Sequence, residues 1–327
     1  MKSTFQTILL VIFGVLALLA VLIFSGVINV GKKTVEEQAS GRITIWGMLP
    51  KDKVQTLMDG FSRVHKTITV TYIQVDAETF DQTLAEKISI GQGPDLLFLP
   101  QNMILRQSAK INKITYEEFS EKAFKDTYIQ EGDLLLANDG IIGLPLIVDP
   151  MIMYFNRGFF ESAGFANPPK TWDELVSVVP SLTKKSGADN TLISSSAVAL
   201  GTYSNINHAK DIISLLLLQS GNPIVARSIN NSYISVLANG DQQKKINVGE
   251  EVLSFYTQFA DPSKETYTWN KSLPSSSDAF ISEQSAMYFG YASELPTISK
   301  KNQNLDFYVA KMPQVKDTKS QMTFGRM

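Results

Sequence analysis

The residues of this sequence with chemistry to offer are aromatic and amide side chains in predicted loops. Trp46, Tyr154, Tyr203, Trp269 and Tyr291 fall in or beside such loops, as do Gln101, Asn102 and Asn205. Flat aromatic faces stack on the C–H faces of sugar rings, and amides and carboxylates bind hydroxyls, so a pocket of this kind is specific without being catalytic. One carboxylate joins the set. Asp149 is the single charge in the run from Ile141 to Asn156. The expected ligand-binding residues are Trp46, Gln101, Asn102, Asp149, Tyr203, Trp269 and Tyr291, with Tyr154 assigned to packing. Core packing is the competing account of each aromatic.

Several other chemistries are excluded or unsupported. The chain has no cysteine, so disulfides, thiol catalysis, zinc-thiolate sites and a lipid-modified N-terminal Cys are ruled out. It has two histidines, His65 and His208, too few for a His-rich metal site. No G-x-S-x-G elbow occurs. Glu117–Glu118 and Glu250–Glu251 fall on polar helix faces and read as solvated charge. A glycosidase needs two carboxylates facing each other across a cleft, and nothing nominates a partner for Asp149. A net charge of −2 gives no electrostatic footprint for nucleic acid. No metal, cofactor or catalytic residue is expected.

The elements that must position these residues follow from periodicity. Ile43-Thr-Ile-Trp46 alternates as a strand before Gly47, and Val54, Leu57, Met58, Phe61 and Val64 have helical spacing. Ile68 to Ile73 alternates again, Phe80, Leu84 and Ile88 mark a second helix, and Leu96 to Leu99 is a short strand after the turn Gly91-Gln-Gly-Pro-Asp95. Strand–helix–strand–helix–strand implies a parallel sheet covered by helices, with ligands beyond the strands' carboxyl ends. Trp46 and Pro100-Gln101-Asn102 lie at such ends, whereas Asp95 precedes its strand and reads as a turn residue. Gly143 to Asn156 is apolar, read as mostly buried, and broken by Pro145 and Pro150, as expected of a segment crossing between lobes. Beyond it, Thr171-Trp-Asp-Glu174 is a capping box opening a helix. Leu192 to Leu200 reads as a buried strand, with Tyr203 in the loop after it. His208 to Gln219 reads as a core helix, 224–245 as irregular, Ala286 to Phe289 as a strand and Leu305 to Ala310 as the last strand.

The N-terminal run Ile8 to Ile28 is nearly all apolar. At about 1.5 Å per residue it reaches roughly 30 Å, a bilayer core. It reads as an uncleaved transmembrane anchor, with a cleaved signal peptide as the alternative. Residues 31–40 read as a polar linker.

Four pieces resemble the extracellular solute-binding proteins of ABC importers, of the sugar-binding, maltose-binding-protein-like group. They are Ile43-Thr-Ile-Trp46 with its helix; Gly93-Pro-Asp95; Gly143-Leu-Pro145 through Tyr154-Phe-Asn156 to Pro168-Pro-Lys-Thr-Trp-Asp-Glu174; and Phe280 with Ser285-Ala-Met287 and Gly290-Tyr291. The resemblance spans roughly 41–327. It implies a two-lobed α/β periplasmic-binding-protein-like fold with a hinge, preceded by one transmembrane helix. The expected plan is a transmembrane segment at 1–30, a linker at 31–40 and a first lobe at 41–145 completed by about 273–313. The second lobe spans 146–272 and returns at about 314–327, and the family's C-terminal helices are missing. In that family the residues after Trp46 line the first lobe's mouth, an acid often sits where Asp149 falls, and an aromatic commonly stacks where Tyr203 falls. Tyr291 stands where Trp is usual. The implied function is capture of a small-molecule solute, a carbohydrate, and its delivery to an ABC permease. The protein would be a monomer whose globular part is extracytoplasmic. An anchored glycan hydrolase and a surface sensor or interaction module on the same fold are the alternatives.

Overall fold

The computed structural model describes residues 40–187, 192–228, 233–237, 248–318 and 321–327. The predicted anchor over 1–30 and all but the last residue of the predicted linker lie outside them. Among the described residues no helix is long and apolar enough to cross a membrane. The chain forms two compact units, one up to Arg106 and one from Gln107 to Met327.

The first unit runs β1 (Gly41–Gly47), α1 (Lys51–Val64), β2 (Ile68–Gln74), α2 (Phe80–Ser89), β3 (Leu96–Phe98) and α3 (Gln101–Gln107). The sheet order is β2-β1-β3, all parallel. Alternation along β1 sends its side chains to opposite faces. Ile45 packs with Val54 and Met58 of α1 and with Tyr72, while Trp46 packs with Phe80 and Leu84 of α2 and Met103 of α3. Asp95 is the predicted turn residue, and the structure gives it a specific bond. Its carboxylate accepts the Thr44 N–H at 2.7 Å and its own N–H donates to the Thr44 carbonyl at 2.9 Å, which fixes the entry of β3 beside β1.

The second unit begins with α4 (Glu121–Thr127) and the hairpin β4 (Leu136–Ala137)–β5 (Gly140–Ile141). It continues through β6 (Asp149–Asn156), α5 (Arg157–Ser162), α6 (Trp172–Leu182), β7 (Lys184–Ser186), β8 (Leu192–Val198) and α7 (Ala209–Gln219). A short antiparallel pair, β9 (Val225–Arg227) and β10 (Tyr233–Ser235), stands within the stretch read as irregular. Then come α8 (Val248–Thr257), α9 (Ser276–Ile281), β11 (Ser285–Tyr291), α10 (Leu295–Lys301), β12 (Phe307–Ala310) and β13 (Gly325–Arg326). The sheet order is β12-β6-β11-β8-β7, with β13 also on β6. β6 is antiparallel to β11, β12 and β13, and β11 is parallel to β8. One face carries the cluster of Tyr154, Phe280, Tyr288, Ile298 and Leu305. The larger core joins Met151, Met153, Met287 and Phe289 to Trp172, Leu175 and Val179 of α6 and to Ile212, Leu215 and Leu216 of α7. At the predicted capping box the Glu174 N–H donates to Thr171 Oγ1 at 3.2 Å, while the Glu174 carboxylate accepts the Lys170 N–H at 2.6 Å, one residue earlier than the motif prescribes.

Two expectations are corrected. The segment 273–313 does not complete the first lobe. Its strands β11 and β12 flank β6 in the second unit, with Tyr288 opposite Tyr154 and Val309 opposite Tyr154 on the other side. The first unit also ends at Arg106 rather than near 145: residues 107–145 pair among themselves, through β4–β5 and the bridge Ile114–Ile141. The second correction concerns the apolar central run. Leu144, Leu146 and Ile147 are exposed, and burial begins at Met151, once β6 has started.

Candidate functional site

In the second unit, the parallel strands β8 and β11 end at one edge of the sheet, and the antiparallel β6 begins there. Ser285 is opposite Ser196 and Met287 opposite Val198, while Tyr291 is opposite Met151. The edge therefore gathers Asp149, the loop 201–208 and the turn Tyr291-Ala292-Ser293-Glu294. This is the location a doubly covered sheet offers to a ligand.

The 201–208 loop is held firmly. Gly201 has φ +96°, and a Cβ there would lie 2.6 Å from the Ala260 nitrogen, so only glycine fits this exit from β8. The Tyr256 hydroxyl donates to the Thr202 carbonyl at 2.7 Å. Asn205 donates from Nδ2 to the carbonyls of Asn270 and Leu273, and its Oδ1 accepts from Thr202 Oγ1 and from the Trp269 indole N–H. Asn207 is tied to Ser276 and Ser277. Tyr203 projects from this anchored loop and is 65% exposed.

Beside it lies a charged network. Asp149 accepts both the N–H and the hydroxyl of Ser293, at 2.9 and 2.6 Å. Glu294 accepts the Tyr291 N–H at 2.9 Å and the Tyr288 hydroxyl at 2.6 Å, and lies 2.7 Å from His208 Nε2. Burial alone would raise the Glu294 carboxyl; the bonds from His208, Tyr288 and the Tyr291 backbone outweigh it and hold it below the usual carboxylate range. Asp211 accepts the Tyr291 hydroxyl at 2.8 Å and Arg326 Nη2 at 3.1 Å. Burial opposes its charge as well, and Tyr291, Arg326 and Lys210 together hold it below the usual range. Burial and the Asp211 carboxylate push the Tyr291 phenol up. The Arg326 guanidinium lies 3.6 Å from the centre of the Tyr291 ring, and the His208 ring meets Tyr291 edge-on at 4.9 Å.

The predicted residues therefore divide. Asp149 and Tyr203 share the edge of the second unit. Tyr291 is there too, but it is 1% exposed and its ring is covered by Arg326, so it braces the edge instead of offering a stacking face. Trp269 is fully buried in the core and supports Asn205 from behind. In the first unit Trp46 ends β1 but is 6% exposed, with its buried indole N–H lacking a partner. Gln101 and Asn102 open α3 after β3, with Gln101 half-buried and Asn102 exposed. Sequence reasoning missed Asp211, Ser293, Glu294 and Arg326. Asp211 carried one signal, being an acid in the first turn of an otherwise apolar helix. His208 was read as a helix opener, and it is the N-cap of α7 in a left-handed conformation with φ 60°. Most polar groups of the network are hydrogen-bonded to one another, which suits a rigid frame more than a reactive centre. Among the described residues no group of three or more His, Asp or Glu is placed to hold a metal ion.

Comparison with known sequences decides the family. Residues 56–325 match the profile of the bacterial extracellular solute-binding proteins. The chain is a member of that family. A curated relative in Brucella abortus strain 2308, named as a binding protein, is 28% identical over 116 residues, which is 35% of this solute-binding protein and 28% of the relative. The match thus spans little more than a quarter of that protein. Solved structures share the fold. An ABC substrate-binding protein of Listeria monocytogenes in complex with cycloalternan has a TM-score of 0.60 at 15% identity, covering 88% of this chain and 69% of that one. A cyclic α-maltosyl-1,6-maltose binding protein of Arthrobacter globiformis has a TM-score of 0.64 at 15% identity, covering 85% and 67%. A mannotriose-bound protein has a TM-score of 0.57 at 17% identity, covering 87% and 72%.

Proposed function

We propose that this solute-binding protein captures a carbohydrate by hinge closure of its two units and delivers it to an ABC permease, without chemical conversion. The observation that carries the reading is Tyr203: a large, exposed aromatic face on a loop anchored through Thr202, Asn205 and Asn207, at the carboxyl edge of a doubly covered sheet. A loop fixed before binding loses little entropy when its exposed ring stacks on a sugar face. Asp149 with Ser293 supplies hydroxyl-binding groups beside it, and Gln101 and Asn102 supply amides at the equivalent edge of the first unit. The solved proteins of this fold that bind cycloalternan, mannotriose and a cyclic maltosyl-maltose support the carbohydrate class. The run 8–28 serves as a single-pass anchor that keeps the globular part outside the cytoplasm, and the protein acts as a monomer.

Thermal melting and small-angle scattering with a panel of gluco-, manno- and galacto-oligosaccharides test the reading. A binding sugar raises the melting temperature and reduces the radius of gyration, since ligand contacts to both units favour the closed form. A panel that moves neither quantity contradicts it.

A further inference from the structure

We propose that His208 is a proton-sensitive latch that holds Arg326, and with it β13, against Tyr291. The chemistry of the two neighbours assigns the imidazole's tautomer. Arg326 Nη2 lies 3.2 Å from His208 Nδ1, and a guanidinium is a donor only, so Nδ1 is the acceptor and carries no hydrogen. Nε2 then carries the proton and donates to Glu294 Oε1 at 2.7 Å. A neutral imidazole is required at this point, with its lone pair directed at the cation.

The groups around the ring are complete enough to follow one added proton. Glu294 faces it from the turn after β11, Tyr291 from β11 edge-on, Arg326 from β13, and Asp211 and Lys210 lie on its own helix. Asp149 faces Ser293. A proton from solvent has only Nδ1 to occupy. There it puts an N–H against Nη2, removes the acceptor and sets two cations 3.2 Å apart. The imidazolium keeps Glu294, now as an ion pair. Arg326 loses this acceptor; Asp211 and Tyr291 remain its partners, and repulsion from the imidazolium weakens its hold on them.

Arg326 belongs to β13, which pairs with β6 at Gly325–Pro150 and Arg326–Asp149, supported by the Met151 N–H to the Phe324 carbonyl at 2.8 Å. The Arg326 side chain is also the cover on the Tyr291 ring. Protonation of His208 therefore loosens β13 and bares the ring at the same edge that carries Asp149 and Tyr203. Imidazoles are the side chains that gain a proton between about pH 5 and 8. Asp211 and Glu294, held below the usual carboxylate range, stay charged in that window.

Hydrogen exchange of the unliganded protein tests the latch without any solute, so its failure is distinct from failure of the carbohydrate reading. After correction for the intrinsic pH dependence, protection of the 321–327 peptide is expected to fall about five- to tenfold from pH 8 to pH 5, the scale of one ordinary, partly exposed hydrogen bond lost. In His208→Asn, whose side chain tolerates the left-handed backbone and does not titrate, protection is expected to be low and flat across the range. A flat wild-type profile, or the same pH dependence in His208→Asn, overturns the proposal. Nitrogen chemical shifts of the wild-type His208 ring give a second measurement that needs no variant. At pH 8, Nδ1 is expected unprotonated and Nε2 protonated, and the reverse tautomer overturns the proposal.

Discussion

Replacing Asp211 with alanine removes both the acceptor of the Tyr291 hydroxyl and that of Arg326, and the two losses differ in size. Tyr291 is 1% exposed, so its hydroxyl is left without an acceptor at a cost of about 1–3 kcal/mol. Arg326 is 53% exposed against 8% for Asp211 and regains water, so its share is on the scale of a surface pair, about 0–1 kcal/mol. The sum is a destabilisation of about 1–4 kcal/mol. Tyr291→Phe alone keeps the ring in the core and loses one hydrogen bond to a charged acceptor, about 1.5–2 kcal/mol. In the double variant no orphaned hydroxyl remains, so the two effects should fall short of additivity by about 1–2 kcal/mol. Urea unfolding followed by tryptophan fluorescence reports this directly, because Trp172 and Trp269 lie in the same core. Additive single effects, or an Asp211→Ala change below about 0.5 kcal/mol, would refute the hydrogen-bond account of this edge.

Acid should weaken the second unit through Glu294 and Asp211. Both carboxyls are lowered in the folded state, so their stabilisation is present above the ordinary carboxylate range and is lost as pH falls through the folded values; the melting temperature should drop steadily below about pH 4, and a flat profile from pH 6 to 3 counts against the network. Gly201→Ala forces a Cβ to 2.6 Å from the Ala260 nitrogen at φ +96°, and should cost about 2–4 kcal/mol by chemical denaturation; a neutral result would mean the loop exit is plastic. Tyr203→Ala touches an exposed side chain, so it should change stability by no more than about 0.5 kcal/mol.

The elements were legible where local rules decide them. The alternation Ile43 to Trp46, the spacing Val54–Met58 and the capping residues Thr171 and Glu174 all point to the structures they form. The loop position of Tyr203 followed from its place after an apolar strand and a glycine. Partnership was not legible. Strand periodicity says which face of β11 is buried but not which strand lies beside it, and so 273–313 was assigned to the wrong unit. The Asp211–Arg326 contact spans 115 residues and leaves no local trace. Aromatic residue type was equally silent on exposure: Tyr203 follows β8 and Tyr291 ends β11 at the same edge, and only packing shows that one face is free and the other covered. The apolar run Leu144 to Ile147 misled in the same way, because hydrophobic composition favours burial without fixing where it starts.

Calorimetric titration of oligosaccharides into the wild-type protein and Tyr203→Ala tests the central claim most directly. Saturable 1:1 binding to wild type, weakened at least about tenfold by the loss of one stacked ring with its surroundings intact, is the predicted result. Absence of binding across the panel, or equal affinity in the two proteins, would contradict capture of a carbohydrate at this edge.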